Sequence, residues 1–149
     1  MALSPAELEE ATRCVAVALN RATRATNRLY ERALSDAGVS LAQFNVLVAL
    51  TLGGAKTIGH LAEEIGVDRT TLSRNLSVME RDGLLTLSSD EADARTRTVE
   101  VSAAGLAALE AGYPAWLQAQ RSLLENLGND GEEVRAALAA VESAAERAR

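Results

Sequence analysis

Apolar residues recur at helical spacing along most of the chain and give way to strand composition only between residues 84 and 101. The clearest helical pair lies just before that change. Ile58, Leu61, Ala62 and Ile65 are three, one and three residues apart, which puts them on one helix face. Thr57 caps that helix, and Gly66 stands where a left-handed residue closes it. Asp68 is an N-cap for a second helix, with Leu72, Leu76 and Met79 as its apolar face. Two short amphipathic helices joined by so tight a turn form a helix-turn-helix, the unit that sets its second helix in a DNA major groove.

The flanking pattern predicts further helices. Ser4, Pro5 and Glu7 make a capping box with proline at N1. Leu8, Ala11, Val15, Ala18, Leu19, Ala22, Leu29 and Ala33 then keep the helical period as far as Asp36, and Gly38 ends the run. The expectation is one long helix over residues 4–36. A second capping box, Ser40 with Gln43, opens a helix with Phe44, Leu47, Val48 and Leu50 that stops at Gly53-Gly54. After Asp82-Gly83, residues 84–87 and 98–101 have strand composition, and residues 88–97 between them are a polar hairpin tip, or wing. Ser102 caps a final long helix carrying Leu106, Leu109, Tyr113 and Leu117, which Pro114 is expected to bend. Asn129-Asp130-Gly131 breaks the chain before a last helix with Val134, Leu138 and Val141.

The predicted fold is mainly α with a small β-wing. A winged helix-turn-helix for DNA binding occupies residues 40–102, and a helical dimerisation region is built from residues 1–39 and 103–149. The end helices carry stripes too narrow and alanine-rich for a monomer core, which suggests a two-fold homodimer. Aromatic residues are only 3% of the 149, so burial between subunits is a natural source of extra stability.

Composition narrows the chemistry. No apolar run approaches the length of a membrane span, and the start, MALSPAELEE, is acidic where a signal peptide is basic, so no membrane partner and a cytoplasmic location are expected. One cysteine excludes an internal disulfide, and one distant histidine adds no metal site within a subunit. Neither a nucleophile elbow nor a phosphate-cradling glycine loop is present, so neither an enzyme nor a bound cofactor is expected. The net charge of −6 pulls against nucleic acid. Distribution outweighs the total here: all but one of the fifteen cationic side chains are arginine, and Arg69, Arg74, Arg95 and Arg97 fall where a DNA-facing surface needs them. Acidic residues gather towards the end, at Glu125, Asp130, Glu132, Glu133, Glu142 and Glu146.

With this plan the chain resembles the MarR family of transcriptional regulators over nearly its whole length. The most specific carriers are Asp93-Ala94-Arg95, then Val99, Val101-Ser102 and Gly105, similar to the family's D-x-R wing tip, return strand and Leu-Thr-x-x-Gly helix entry. Two departures stand out. Leu87 and Ser88 occupy the place where members commonly carry a basic residue, and Ser102 replaces threonine with the same capping chemistry. The resemblance implies a homodimer on a palindromic operator, often repressing nearby genes until a small molecule or oxidant releases it.

Candidate DNA contacts follow from the face opposite Leu72, Leu76 and Met79: Arg69, Thr70, Ser73, Arg74 and Ser77, with Thr71 joining through the first turn. Arginine grips guanine bidentately, and serine and threonine reach phosphates or base edges. Arg95 at the wing tip suits a minor groove, and Asp93 suits holding the Arg95 or Arg97 guanidinium. The competing account of these positions is a solvated polar face and a mobile hairpin. His60 is expected to face solvent. The resemblance places Tyr30, Phe44, Tyr113 and Trp116 beside the family's effector pocket, and core or interface packing explains them equally well. Cys14 lies about two residues before the place, near Ala16, of the cysteine used by a peroxide-sensing branch, and a small buried hydrophobe is the favoured role. Two other functions stay open beside a DNA-binding regulator: a winged helix for protein–protein contact, and a thiol redox sensor acting through Cys14.

Overall fold

The computed structural model describes residues 3–89, 97–128 and 131–148. Seven helices and a small sheet follow in the order α1 (Pro5–Thr12), α2 (Val15–Leu34), a 3-10 turn (Ser35–Ala37), α3 (Leu41–Gly53), β1 (Lys56–Thr57), α4 (Ile58–Ile65), α5 (Arg69–Arg81), β2 (Leu85–Ser89), β3 (Arg97–Val101), α6 (Ala103–Leu127) and α7 (Glu132–Arg147). The fold is mainly α with a β-wing, as the periodicity predicts.

The long first helix is a correction. It is broken after Thr12, and Cys14 stands at the N-cap of α2 with φ −59° and ψ 121°. The Thr12 hydroxyl donates to the Glu9 carbonyl at 2.7 Å, and the Arg13 N–H reaches the Glu10 carbonyl at 3.0 Å, tightening the last turn. Thr12, Cys14, Val15 and Val17 are weak helix formers, so little opposes the break. Cys14 is exposed there, not buried, because no core lies beside the break. Both capping boxes form as expected, at Ser4/Glu7 and Ser40/Gln43. Pro114 sits inside α6 without ending it.

The core lies almost wholly between the 3-10 turn and the start of α6. Phe44, Val46, Leu47 and Leu50 of α3 pack with Ile58 and Leu61 of α4, Leu72, Leu76 and Met79 of α5, and Leu85 and Val99 of the sheet. The sheet order is β1-β3-β2, all antiparallel, with Val99 opposite both Lys56 and Leu87. The two-residue strand β1 has no periodic signal and was not expected. It puts the buried Val99 at the centre of the sheet.

Helix α6 joins this lobe to α2 through small residues. Gly105 passes so close to the end of α5 that a Cβ there would lie 2.0 Å from the Leu84 carbonyl oxygen. At Gly112 a Cβ would meet Leu34 Cδ2 at 3.1 Å and Ala37 Cβ at 3.3 Å. Neither α1 nor α7 buries a residue, and α2 buries only Leu34.

Candidate nucleic-acid interface

The turn between α4 and α5 is built from Gly66, Val67 and Asp68. Gly66 adopts φ 68°, its N–H donates to the Glu63 carbonyl at 3.3 Å, and the Val67 N–H donates to the Ala62 carbonyl at 3.1 Å. These bonds satisfy the end of α4 and turn the chain sharply. Asp68 then accepts the Thr71 N–H at 2.8 Å. Bonds from the Thr71 side chain and then its backbone hold the Asp68 carboxyl below the usual carboxylate range. A charged cap at the N-terminus of α5 also suits the helix dipole.

Helix α5 is divided cleanly. Leu72, Leu76 and Met79 are fully buried, whereas Arg69, Thr70, Arg74 and Ser77 are exposed and Ser73 is half-buried. Burying three large side chains, each contributing roughly 1.5–3 kcal/mol, fixes the rotation of the helix and hence which side faces outward. Among the described residues, Arg69, Arg74 and Arg97 form no ion pair, so their charges are available to an anionic partner. The hydroxyls of Ser73 and Ser77 donate to the carbonyls of Arg69 and Ser73 at 2.7 and 3.0 Å. Their lone pairs stay open to a donor, but their protons are already engaged.

Thr71 stands apart from that outward face. It lines a cleft with Leu72 and Asn75 on the flank of α5 nearest α2 and α3. Arg81, by contrast, extends the exposed row of α5. Thr70, Arg74, Ser77 and Arg81 recur every three or four residues, and Arg81 is exposed with only a surface pair to Asp82 at 3.2 Å. The same spacing was visible in the sequence one turn beyond Ser77.

The wing is locked to α5 by polar contacts that the sequence pattern did not reveal. A Glu80 carboxylate oxygen accepts the Leu87 N–H at 3.2 Å, and the Leu84 N–H donates to the Met79 carbonyl at 2.9 Å. Ser102 closes the far end: its hydroxyl donates to the Gly83 carbonyl at 2.6 Å and accepts the Gly105 N–H at 3.0 Å. Arg97 is exposed opposite Ser89, at the end of the β2–β3 ladder that residues 90–96 connect. Asp93 and Arg95 lie outside the described residues. His60 is exposed beside the Thr57 cap.

The four aromatic residues do come together. Trp116 stacks on Phe44, Tyr113 and Tyr30, with ring centroids 5.6, 5.9 and 6.4 Å away. Phe44 is buried, and the partly buried Tyr30 hydroxyl donates to Gln120 Oε1. Burial pushes the Tyr30 hydroxyl pKa up. Tyr113, half exposed, also lines an open apolar groove of about 450 Å³ with Val48, Leu52 and Leu109. Among the described residues, no group of His, Cys, Asp or Glu is arranged to hold a metal. No single helix there is long and apolar enough to cross a membrane.

The MarR-family sequence profile matches residues 37–96, the lobe just described. An uncharacterised HTH-type transcriptional regulator of Bacillus cereus is 30% identical over 115 residues, 77% of this chain and 76% of its own length. The M. tuberculosis transcriptional regulator MosR, solved in complex with DNA, superposes with a TM-score of 0.83 at 38% identity, covering 91% of this chain and 98% of that one. The chain belongs to the MarR family. It is accordingly a DNA-binding transcriptional regulator with a winged-helix fold. Another structural neighbour, BpsR of Bordetella bronchiseptica, has a TM-score of 0.73 at 26% identity over 88% of this chain and 93% of its own. The structure of BpsR concerns regulation of its DNA binding by 6-hydroxynicotinic acid. Within this MarR-family lobe, Gly105 and Ser102 have a direct physical purpose: one permits close approach to Leu84, and the other ties strand to helix.

Proposed function

We propose that this chain acts in the cytoplasm as a homodimeric repressor that binds a palindromic operator and is released by a small molecule. The observation that carries the DNA contact is the outward face of α5, where Arg69 and Arg74 are exposed and form no ion pair among the described residues while Leu72, Leu76 and Met79 are fully buried. In this reading α5 lies in the major groove, with Arg74 on a base edge and Arg69, Thr70, Ser73 and Ser77 on phosphates or neighbouring bases. Thr71 acts indirectly, by completing the Asp68 cap at the start of α5. Arg97 meets the backbone beside the wing, Arg95 enters the minor groove, and Asp93 orients it.

Residues 40–102 are the DNA-binding unit, and residues 1–39 and 103–149 form the dimer. Support for the dimer comes from apolar side chains left exposed among the described residues, such as Leu8 at 53% and Leu138 at 48% exposure. Two recognition helices then address half-sites about one DNA turn apart. Release by a small molecule is supported by the control of BpsR by 6-hydroxynicotinic acid. The Trp116 cluster, with Tyr30, Phe44 and Tyr113, is the proposed effector region. The exposure of Cys14 favours an oxidant as a second trigger, which hydroperoxide treatment of wild type and Cys14→Ser would separate.

Footprinting on the DNA upstream of its own gene tests the main proposal. A protected two-fold site is expected, and no protection at low salt without ligand would overturn it. Arg74→Ala should weaken specific binding by about 1–3 kcal/mol, roughly 5- to 150-fold, and non-specific binding much less. Equal losses in both would remove Arg74 from base reading.

A further inference from the structure

Behind the recognition helix, α2, α3, α4 and α5 border a cleft of about 340 Å³. Small-molecule sites run from roughly 300 to 1,000 Å³, so this one suits a small ligand. Its polar wall combines Asn27 and Glu31 of α2, Asn45 of α3, and Thr71 and Asn75 of α5. Three of the six asparagines of the chain therefore converge on one cleft. None of these three carboxamides hydrogen-bonds to another described residue.

Glu31 is the one ionisable side chain on the wall. Its Oε1 accepts the Leu41 N–H at 3.0 Å, and Oε2 has no protein partner among the described residues. Ile65, Val67 and Leu72 add apolar side chains to the same lining. The cleft is separate from the aromatic cluster: α3 gives Leu41 and Asn45 to it, but Phe44 to the stack on Trp116.

We propose that this cleft is a second ligand site, selective for a small flat molecule that is neutral or cationic and carries N–H donors, such as an amide or amidine. Free carboxamides offer both donors and acceptors, which suits an amide edge. A carboxylate accepts but cannot donate, attracts a cation, and repels an anion. The apolar lining takes the flat face of the ligand. Carboxylate effectors are thereby disfavoured here. Thr71 and Asn75 belong to α5, and the Thr71 N–H is held by the Asp68 cap, so an occupant touches the helix that reads DNA. This regulatory consequence rests on the proposed DNA contact by α5, whereas ligand occupancy does not.

Benzamidine, benzamide and benzoate form a test set of matched shape and differing charge. Titrated into the DNA-free full-length chain, benzamidine and benzamide should shift the side-chain amide NMR signals of Asn27, Asn45 and Asn75. Benzamidine should bind roughly 30-fold tighter than benzoate, because the two differ by two unit charges and each changes affinity about fivefold beside a charge in water. Glu31→Gln keeps the acceptor for Leu41, so the fold is retained. It should erase the advantage of benzamidine over benzamide and leave benzamide unchanged. Asn45→Leu should weaken both. Silent asparagine signals, benzoate as the tightest probe, or an unchanged ranking in Glu31→Gln would each overturn the site. In gel shifts, saturating benzamidine should lower the DNA affinity of wild type but not of Asn45→Leu, and an equal response would overturn the coupling. Because occupancy is read without DNA, a failure of the DNA-contact reading leaves the NMR result standing, and the reverse also holds.

Discussion

The lobe from α3 to β3 and the helical ends treat their apolar side chains in opposite ways. In the lobe, Phe44, Leu47, Leu61, Leu72, Leu76, Met79 and Val99 are all buried in one cluster. At the ends, α1 and α7 bury nothing, and Leu8, Val15, Val17, Val134 and Leu138 remain exposed. The lobe thus has its own reason to fold, because its large apolar groups leave water within one chain. The ends have amphipathic stripes that no other described residue covers. The lobe carries its own core, while the part proposed to sense and dimerise leaves its stripes exposed.

The largest expected effect tests the lobe. Leu76→Ala removes a fully buried side chain and should cost about 2–5 kcal/mol, read by urea unfolding. Leu138→Ala on α7 should barely change unfolding at dilutions where the chain is monomeric. Equal costs at the two positions would abolish the contrast.

Gly105→Ala probes the seam between the two regions. Its Cβ would press on the Leu84 carbonyl, where backbone must give, so a loss of about 1–3 kcal/mol is expected. Unchanged stability would mean that α6 is not held tightly against the lobe.

Leu8→Glu combined with Leu138→Glu addresses the ends alone. Sedimentation should show dissociation to monomers, with the lobe still folded by circular dichroism. Operator affinity should fall because two half-sites are no longer linked, an effect of effective concentration. A dimer that persists would move the interface elsewhere.

The smallest effect concerns the cap of α5. The Asp68 carboxyl is held below its ordinary pKa, so its stabilisation is complete above the usual carboxylate range. It is lost as pH falls through the lowered value. Protection of the amides at the start of α5, taken relative to the intrinsic exchange rate at each pH, should therefore fall on acidification in wild type. Asp68→Asn, which keeps an acceptor but cannot titrate, should flatten that pH dependence.

Much of the lobe was legible because its signals are local. The caps at Ser40, Thr57, Asp68 and Ser102, the Gly66 turn and the spacing of Leu72, Leu76 and Met79 each act within a few residues. The break at Cys14 was hidden because an apolar stripe can continue across a single non-helical residue. Strand β1 was hidden because two residues carry no period and owe their pairing to β3, about forty residues away. The candidate contacts were legible as a polar helix face, which Thr71 was expected to join through the first turn. Its place in the flank cleft depends on where α2 and α3 pass.

By itself the sequence determined the helix-turn-helix, its caps, the polar face of α5 and the family to which the chain belongs. Those follow from periodicity and short-range hydrogen bonding, which the order of residues encodes directly. Only the tertiary structure decided that Glu80 and Ser102 fasten the wing to α5, that Trp116 gathers three aromatic rings, and that three asparagines converge beside Glu31. Each of those joins residues far apart in the chain, and their meeting depends on how buried faces set the rotation and spacing of whole helices.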